Sequence, residues 1–364
     1  MENLNSTVSV ENAVDISYLL HLSSQFPLYG GYPEVFGYIL PPVIVLTLVT
    51  NCLVITVLLK KDLRTQTNVL LAGLAFSDMM CGVTLFPVFF NFFTLGKYDE
   101  IVPFDWCLPY QVLIVLASGF HNISVLQTVA LATQRYVFVC VPKLRKKFDF
   151  CSSFKVIVAI HIIGIVAHTS RFLDTYFVPA FPLWPTSLPD TLQSNASGYD
   201  IDSDTPGCVT MFRDWVKPNL ELYINVYFIL RATCFGILPC IVLTILTILL
   251  IKSMTSQRMK RRRLFRGRGI CDGLNQQDKQ NVRTTLLLIV VVGIHLFCEI
   301  PNAVVLFIDA IEIAINFYDV SDAKLIVISI SNIMVILSCP VNIFIYCGMS
   351  KKFRTTLKQM LKCG

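Results

Sequence analysis

The chain has 364 residues, 54% of them hydrophobic and only 15% charged, with a formal net charge of +6. Soluble domains carry roughly a quarter charged residues, and here the deficit is gathered into long uncharged runs. That pattern excludes an ordinary cytosolic enzyme, a secreted disulfide scaffold and a disordered chain, which need a more polar surface or shorter apolar runs, and it points to a membrane protein.

A helix needs about 20 mainly apolar residues to cross the hydrocarbon layer, because it must satisfy its own backbone there. Seven runs meet this requirement: about Phe36 to Leu59, Thr67 to Thr94, Cys107 to Cys140, Ser153 to Phe177, Leu220 to Ile251, Arg283 to Ile311 and Lys324 to Cys347. The expected fold class is therefore an all-α seven-transmembrane helix bundle. Beyond it, Phe353, Leu357, Met360 and Leu361 recur at helical spacing beside Lys351, Lys352, Arg354, Lys358 and Lys362, which predicts a short amphipathic helix along the membrane surface. The chain then divides into an extracellular segment (1–35), the bundle (36–347) and a cytoplasmic helix and tail (348–364).

Orientation follows from lysine and arginine, which stay on the cytoplasmic side. Bases cluster after the first span (Lys60, Lys61, Arg64), after the third (Lys143, Arg145, Lys146, Lys147), after the fifth (Lys260 to Arg268) and in the tail. The opposite loops hold acids such as Asp99, Asp105, Asp190, Asp202 and Glu221. The N-terminus is thus expected outside at the plasma membrane. Met1 to Ser9 lacks the basic and apolar regions of a signal peptide, which leaves insertion to the first span. The run Lys260 to Arg268 reads as topology and anionic-lipid contact rather than nucleic-acid binding.

The sequons at Asn5 and Asn195 fall on the expected outside, and Asn122 falls within the third span, where it should be unmodified. Of 13 cysteines, only Cys107 and Cys208 are expected to face the oxidising compartment. A disulfide between them would tie the third span to the loop at 180–218; the alternative is two unpaired thiols. Cys363 is a weak palmitoylation candidate.

Charges within hydrocarbon usually face the bundle interior and mark function. Six of them organise the reading: Asp78, Arg135, Arg171, Asp174, Arg231 and Glu299. Asp78, with Ser124, Ser338 and Asn342 as oxygen-bearing neighbours, suits a small hard cation such as sodium; equally, it is a hydrogen-bonded Asp that locks helices together. Arg231 and Glu299 either form a structural ion pair or hold a ligand, and Arg171 and Asp174, at i and i+3, can pair with each other.

Several motifs in order carry a family resemblance: Asn51 in the first span, Leu74-Ala75-x-x-Asp78, Cys107 with Cys208, Arg135-Tyr136, Pro239, Cys298-x-x-Pro301 and Asn342-x-x-x-Tyr346. Over about Phe36 to Cys363 the chain resembles a rhodopsin-like (class A) G-protein-coupled receptor. It departs from that pattern at Gln134, which stands where an Asp is usual, at Glu299 for Trp and at Ile343 for Pro, with Pro340 just before. Cys107 also lies about a helical turn farther from Arg135 than is usual, and the fourth span has no Trp. These departures, with Ser170-Arg-Phe-x-Asp174 and Cys339-Pro-Val-Asn-x-Phe-Ile-Tyr-Cys347, resemble the invertebrate sex-peptide and myoinhibitory-peptide receptor branch, related to FMRFamide-type receptors.

That resemblance implies a peptide ligand outside and a heterotrimeric G protein inside, with no enzymatic activity and no cofactor beyond the sodium ion. The position where amine receptors carry an Asp is Ala117, and no Lys lies between Ile326 and Tyr346 for a retinal Schiff base. The expected ligand pocket holds His121, Arg171, Asp174, Tyr227, Arg231, Glu299 and Asn302, and the ligand is a short amidated peptide of the myoinhibitory or another, FMRFamide-like, type. The expected activation switch comprises Gln134, Arg135, Tyr136, Pro301, Asn342 and Tyr346. With Gln134 in place of an acid, Arg135 is either weakly restrained, giving basal signalling, or restrained by hydrogen bonds from Gln134 and Tyr136. A secondary transporter would show internal repeats, and a membrane enzyme a nucleophile with its base; neither signature is visible.

Overall fold

The computed structural model describes residues 34–97, 103–141, 143, 149–180, 207–266, 276–314 and 322–362. Among these, six helices are long and apolar enough to cross a membrane: Val35–Leu58, Gln66–Thr94, Phe104–Cys140, Phe150–Leu173, Leu222–Gln257 and Ser329–Gly348. The sixth expected span is the helix Gln276–Ala314, whose described apolar stretch, Ile289–Val305, is shorter. The bundle of seven helices expected from the apolar runs is present.

The helix ends follow from local chemistry. Thr65 caps the second span by accepting from the Asn68 amide at 3.2 Å, and Asp149 caps the fourth by accepting from Ser152 at 2.6 Å. Prolines reshape three helices. Wider π-helical turns at Val35–Ile39 and Ala232–Ile237 lie just before Pro41 and Pro239, and another at Phe89–Thr94 follows Pro87. Proline lacks an N–H and crowds the carbonyl four residues back, and a wider turn relieves both. The seventh span is likewise two helices, Asp322–Ser338 and Val341–Met349, with Pro340 as the N-cap of the second.

The fourth span ends at Leu173, four residues before the expected Phe177. Asp174 is its C-cap, and Thr175–Ala180 forms strand β1, antiparallel to β2, Gly207–Phe212. The Thr-Tyr-Phe-Val run is rich in β-branched and aromatic residues, so its partner strand wins over helix propagation. The register sets Pro179 opposite Cys208, and the hairpin packs on the third span.

Without a hydrophobic force between helices in lipid, packing relies on close contact at small residues. A Cβ on Gly164 would sit 2.3 Å from Ile123 Cγ1, and one on Gly37 would sit 2.8 Å from the Phe93 carbonyl oxygen. Two apolar clusters frame the polar centre: Phe36, Phe89 and Phe93 with Ala117 at the Cys107 end, and Leu71, Leu131, Leu243 and Tyr346 at the Arg135 end. The amphipathic helix is Lys351–Lys362. Phe353 is buried against Tyr346, with ring centroids 5.7 Å apart, and Arg354 donates to the carbonyls of Cys347 and Gly348 at the end of the seventh span.

Candidate functional site

Between the clusters, the second, third, sixth and seventh spans enclose one polar cavity lined by Asp78, His121, Ser124, His295, Glu299, Ser338 and Asn342. It has about 30 Å³ of room for water, enough for one or two molecules. The residues around Asp78 and those around Glu299 are therefore walls of the same space.

Asp78 is buried and engaged at both oxygens. Ser124 donates to Oδ1 at 2.6 Å, and the Asn342 amide nitrogen donates to Oδ2 at 3.1 Å. Ser338 does not join them; its hydroxyl donates to the Val335 carbonyl at 2.7 Å, as hydroxyls in membrane helices commonly do. Of the expected sodium set of Asp78, Ser124, Ser338 and Asn342, the hydroxyl oxygens of Ser124 and Ser338 keep lone pairs on the cavity that the Asp78 carboxylate lines, whereas Asn342 presents a donor. As arranged, Asp78 braces three spans.

At the other wall, His121 Nε2 lies 3.1 Å from Glu299 Oε1. Of the two alternatives for Arg231 and Glu299, a direct ion pair is not among those of the described residues, where Glu299 instead meets His121, from the third span to the sixth. Asn302, one turn on, is within hydrogen-bonding reach of Glu299, and Arg231 lies close enough to His121 to act on it electrostatically. His295, at i−4 from Glu299, has a buried Nε2 with no hydrogen-bond partner among the described residues.

Arg171, Asp174 and Tyr227 lie elsewhere, where the fourth and fifth spans meet the hairpin. Arg171 Nη1 is 3.7 Å from Asp174 Oδ2, and the guanidinium stacks over Tyr227 at 5.5 Å. Tyr223 donates to Asp174 Oδ2 at 3.1 Å, while the Gln111 amide donates to the Arg171 carbonyl at 2.9 Å and to the Thr175 hydroxyl at 3.1 Å. Asp174 is fully buried, and burial pushes its carboxyl above the usual range against the opposing pull of Arg171 and Tyr223. Sequence reasoning missed Tyr223 and Gln111; the i, i+4 spacing of Tyr223 and Tyr227 was the available signal.

It also missed a bridge from the third span to the fourth. Asn122 donates to His168 Nε2 at 2.9 Å, and His168 Nδ1 lies 2.8 Å from the Gly164 carbonyl. The carbonyl requires the proton on Nδ1, which leaves Nε2 to accept. Asn122 is buried, so the sequon there is sterically closed.

At the far end of the third span, Arg135 is 9% exposed and Gln134 is 1% exposed. Gln134 is engaged by neighbouring spans. Its oxygen accepts from Thr67 at 3.0 Å and its nitrogen donates to Ser153 at 3.3 Å, which joins the second, third and fourth spans. Tyr136 is half-buried, Pro301 interrupts the backbone ladder of the sixth span, and Tyr346 is 2% exposed. Cys107 is disulfide-bonded; the side chain of Cys208, and Asn5, Asn195 and Cys363, lie outside the described residues.

Residues 41–364 match the family of serpentine-type 7TM GPCR chemoreceptors Srw. The chain is 31% identical to the sex peptide receptor of Drosophila melanogaster over 95% of its own length and 76% of that protein. It is 29% identical to sex peptide receptor-related protein 2 of Caenorhabditis elegans over 91% and 72% of the two chains. Against the FMRFamide receptor of D. melanogaster, identity is 25% over 88% of this chain and 52% of that one.

Proposed function

Since the chain belongs to the serpentine seven-transmembrane G-protein-coupled receptor family, as a peptide receptor that spans the membrane several times, we propose that its ligand is a short amidated neuropeptide of the myoinhibitory type. The observation that carries this reading is the division of charge in the bundle. Both ligand-side carboxylates are committed, Glu299 to His121 and Asp174 to Arg171 and Tyr223, and the buried Ala117 supplies no acid. A cationic amine finds no free anchor there. Arg231 forms no ion pair among the described residues, and its guanidinium suits a neutral carbonyl such as that of a C-terminal amide.

In this reading the ligand enters from the N-terminal, extracellular side past Arg171, Asp174 and Tyr227, and meets His121, Arg231, Glu299 and Asn302. The Cys107–Cys208 disulfide fixes the hairpin at the mouth, and Asn5 and Asn195 carry glycans on the outer side. Pro301, Asn342 and Tyr346 carry the change to Arg135 and Tyr136, which meet a heterotrimeric G protein at the basic face. Tail anchoring by Cys363 supplements the lipid contact of the amphipathic helix. An FMRFamide-like peptide is the second ligand class, supported by the similarity to the FMRFamide receptor.

The test is G-protein release in cells expressing the chain, exposed to amidated peptides of both types and to the same peptides as free acids. Amides of the myoinhibitory type are expected to be most potent, and Arg231→Gln is expected to weaken them at least tenfold. Activation by a different ligand class, with no response to any amide, would overturn the reading.

A further inference from the structure

We propose that Glu299 is a two-position switch, held to His121 across the bundle at rest and passing to His295 on its own helix when the sixth span moves. The two partners differ in what they tie. His121 belongs to the third span, so the 3.1 Å contact with Glu299 fastens the third span to the sixth. His295 precedes Glu299 by four residues on the helix Gln276–Ala314, so both side chains project from one face of that helix one turn apart.

Three observations converge on the exchange. His295 and Glu299 line the same cavity, so no side chain has to be displaced for them to meet. His295 Nε2 is buried with no hydrogen-bond partner among the described residues, which is costly unless the nitrogen is used in another state. Pro301 interrupts the helix just beyond Glu299, which gives the sixth span a place to bend. The remaining charged groups around the cavity do not compete: Asp78 is held by Ser124 and Asn342, and Arg231 bears on His121 from the fifth span. It would repel a charged imidazole and so favour release. The result is a bistable element of two discrete contacts, the kind of device that converts a small shift at a ligand site into helix movement. His295 is thus a positioning residue whose Nε2 the resting arrangement leaves without a hydrogen bond among the described residues.

The proposal rests on the receptor reading, and its test is made on the full chain without ligand, so the identity of the peptide does not enter. Distance labels carried on noncanonical amino acids at Thr133 and Leu286, both exposed, report the separation of the third and sixth spans in purified, monodisperse receptor. His121→Leu is expected to raise the long-separation population several-fold. His121→Leu with His295→Leu is expected to return it toward wild type, whereas His121→Leu with His295→Gln, which keeps a donor, is expected to preserve the rise. If the first double variant is not recovered folded, His295→Phe replaces His295→Leu. No rise in His121→Leu removes the latch, and a double variant as open as His121→Leu removes His295 from the switch. Either result overturns the proposal.

Discussion

The Arg171–Asp174 cluster and the His121–Glu299 cavity are both buried, both charged and both shared between spans, yet their carboxylates are served differently. Asp174 has one set of partners, Arg171 within its own helical turn and Tyr223 from the fifth span. Around it the Gln111 amide and the Arg213 N–H fix the local backbone. Glu299 has one partner across the bundle in His121 and an alternative along its own helix in His295, whose Nε2 has no hydrogen bond among the described residues. A carboxylate with one partner set positions what surrounds it. A carboxylate with two alternatives can change its allegiance.

The largest effect is expected where the single set is broken. Asp174→Ala leaves the mostly buried Arg171 and the Tyr223 hydroxyl without their acceptor and should cost about 3 kcal/mol, at the low end for a buried pair because Arg171 keeps some exposure and the face of Tyr227. A clear fall in the melting temperature of the purified receptor checks this; an unchanged melt contradicts it. Gln134→Ala should cost about 1–2 kcal/mol, for its two hydrogen bonds to Thr67 and Ser153. Because the side-chain oxygen and nitrogen of Gln134 are taken up by Thr67 and Ser153, ligand-free nucleotide exchange per folded receptor should not change, and a large rise would make Gln134 a restraint on Arg135.

The smallest expected effect is on pH dependence. Burial raises the Asp174 carboxyl above its ordinary value, so the folded state binds the proton more tightly than the unfolded chain. Its contribution to stability is therefore fully present below about pH 4, the ordinary aspartate value. It is lost as pH rises through the raised value and is constant beyond. Asp174→Asn should flatten that slope in the melting temperature; a slope that survives the substitution assigns it to another group.

Much of this was legible in the sequence because length and apolarity alone define a membrane span, and because an ion within one is conspicuous. Asp78 with Ser124 and Asn342 could be read in the same way, since the bundle offers a buried acid few donors. The failures have physical causes. The fourth span was drawn too long because Thr175 to Phe177 is apolar enough for lipid, and only the partner strand Gly207–Phe212 pulls it out of the helix. Between the two readings of Arg231 and Glu299 a residue count could not choose, because the π-helical turn Ala232–Ile237 resets the helical phase between Arg231 and Pro239, so counting 3.6 residues per turn misplaces Arg231. Ser338 falls back on its own helix by donating to Val335, and Gln134 reaches the spans that offer it hydroxyls; a residue count along the chain reveals neither.

The contrast between the two carboxylates is tested most directly by ligand-free nucleotide exchange, measured with a panel of heterotrimeric G proteins on reconstituted His121→Leu and Asp174→Asn side by side. His121→Leu is expected to raise exchange several-fold with little change in melting temperature, and Asp174→Asn to lower the melting temperature with exchange per folded receptor unchanged. The opposite assignment, with Asp174→Asn raising exchange and His121→Leu only destabilising, would contradict it.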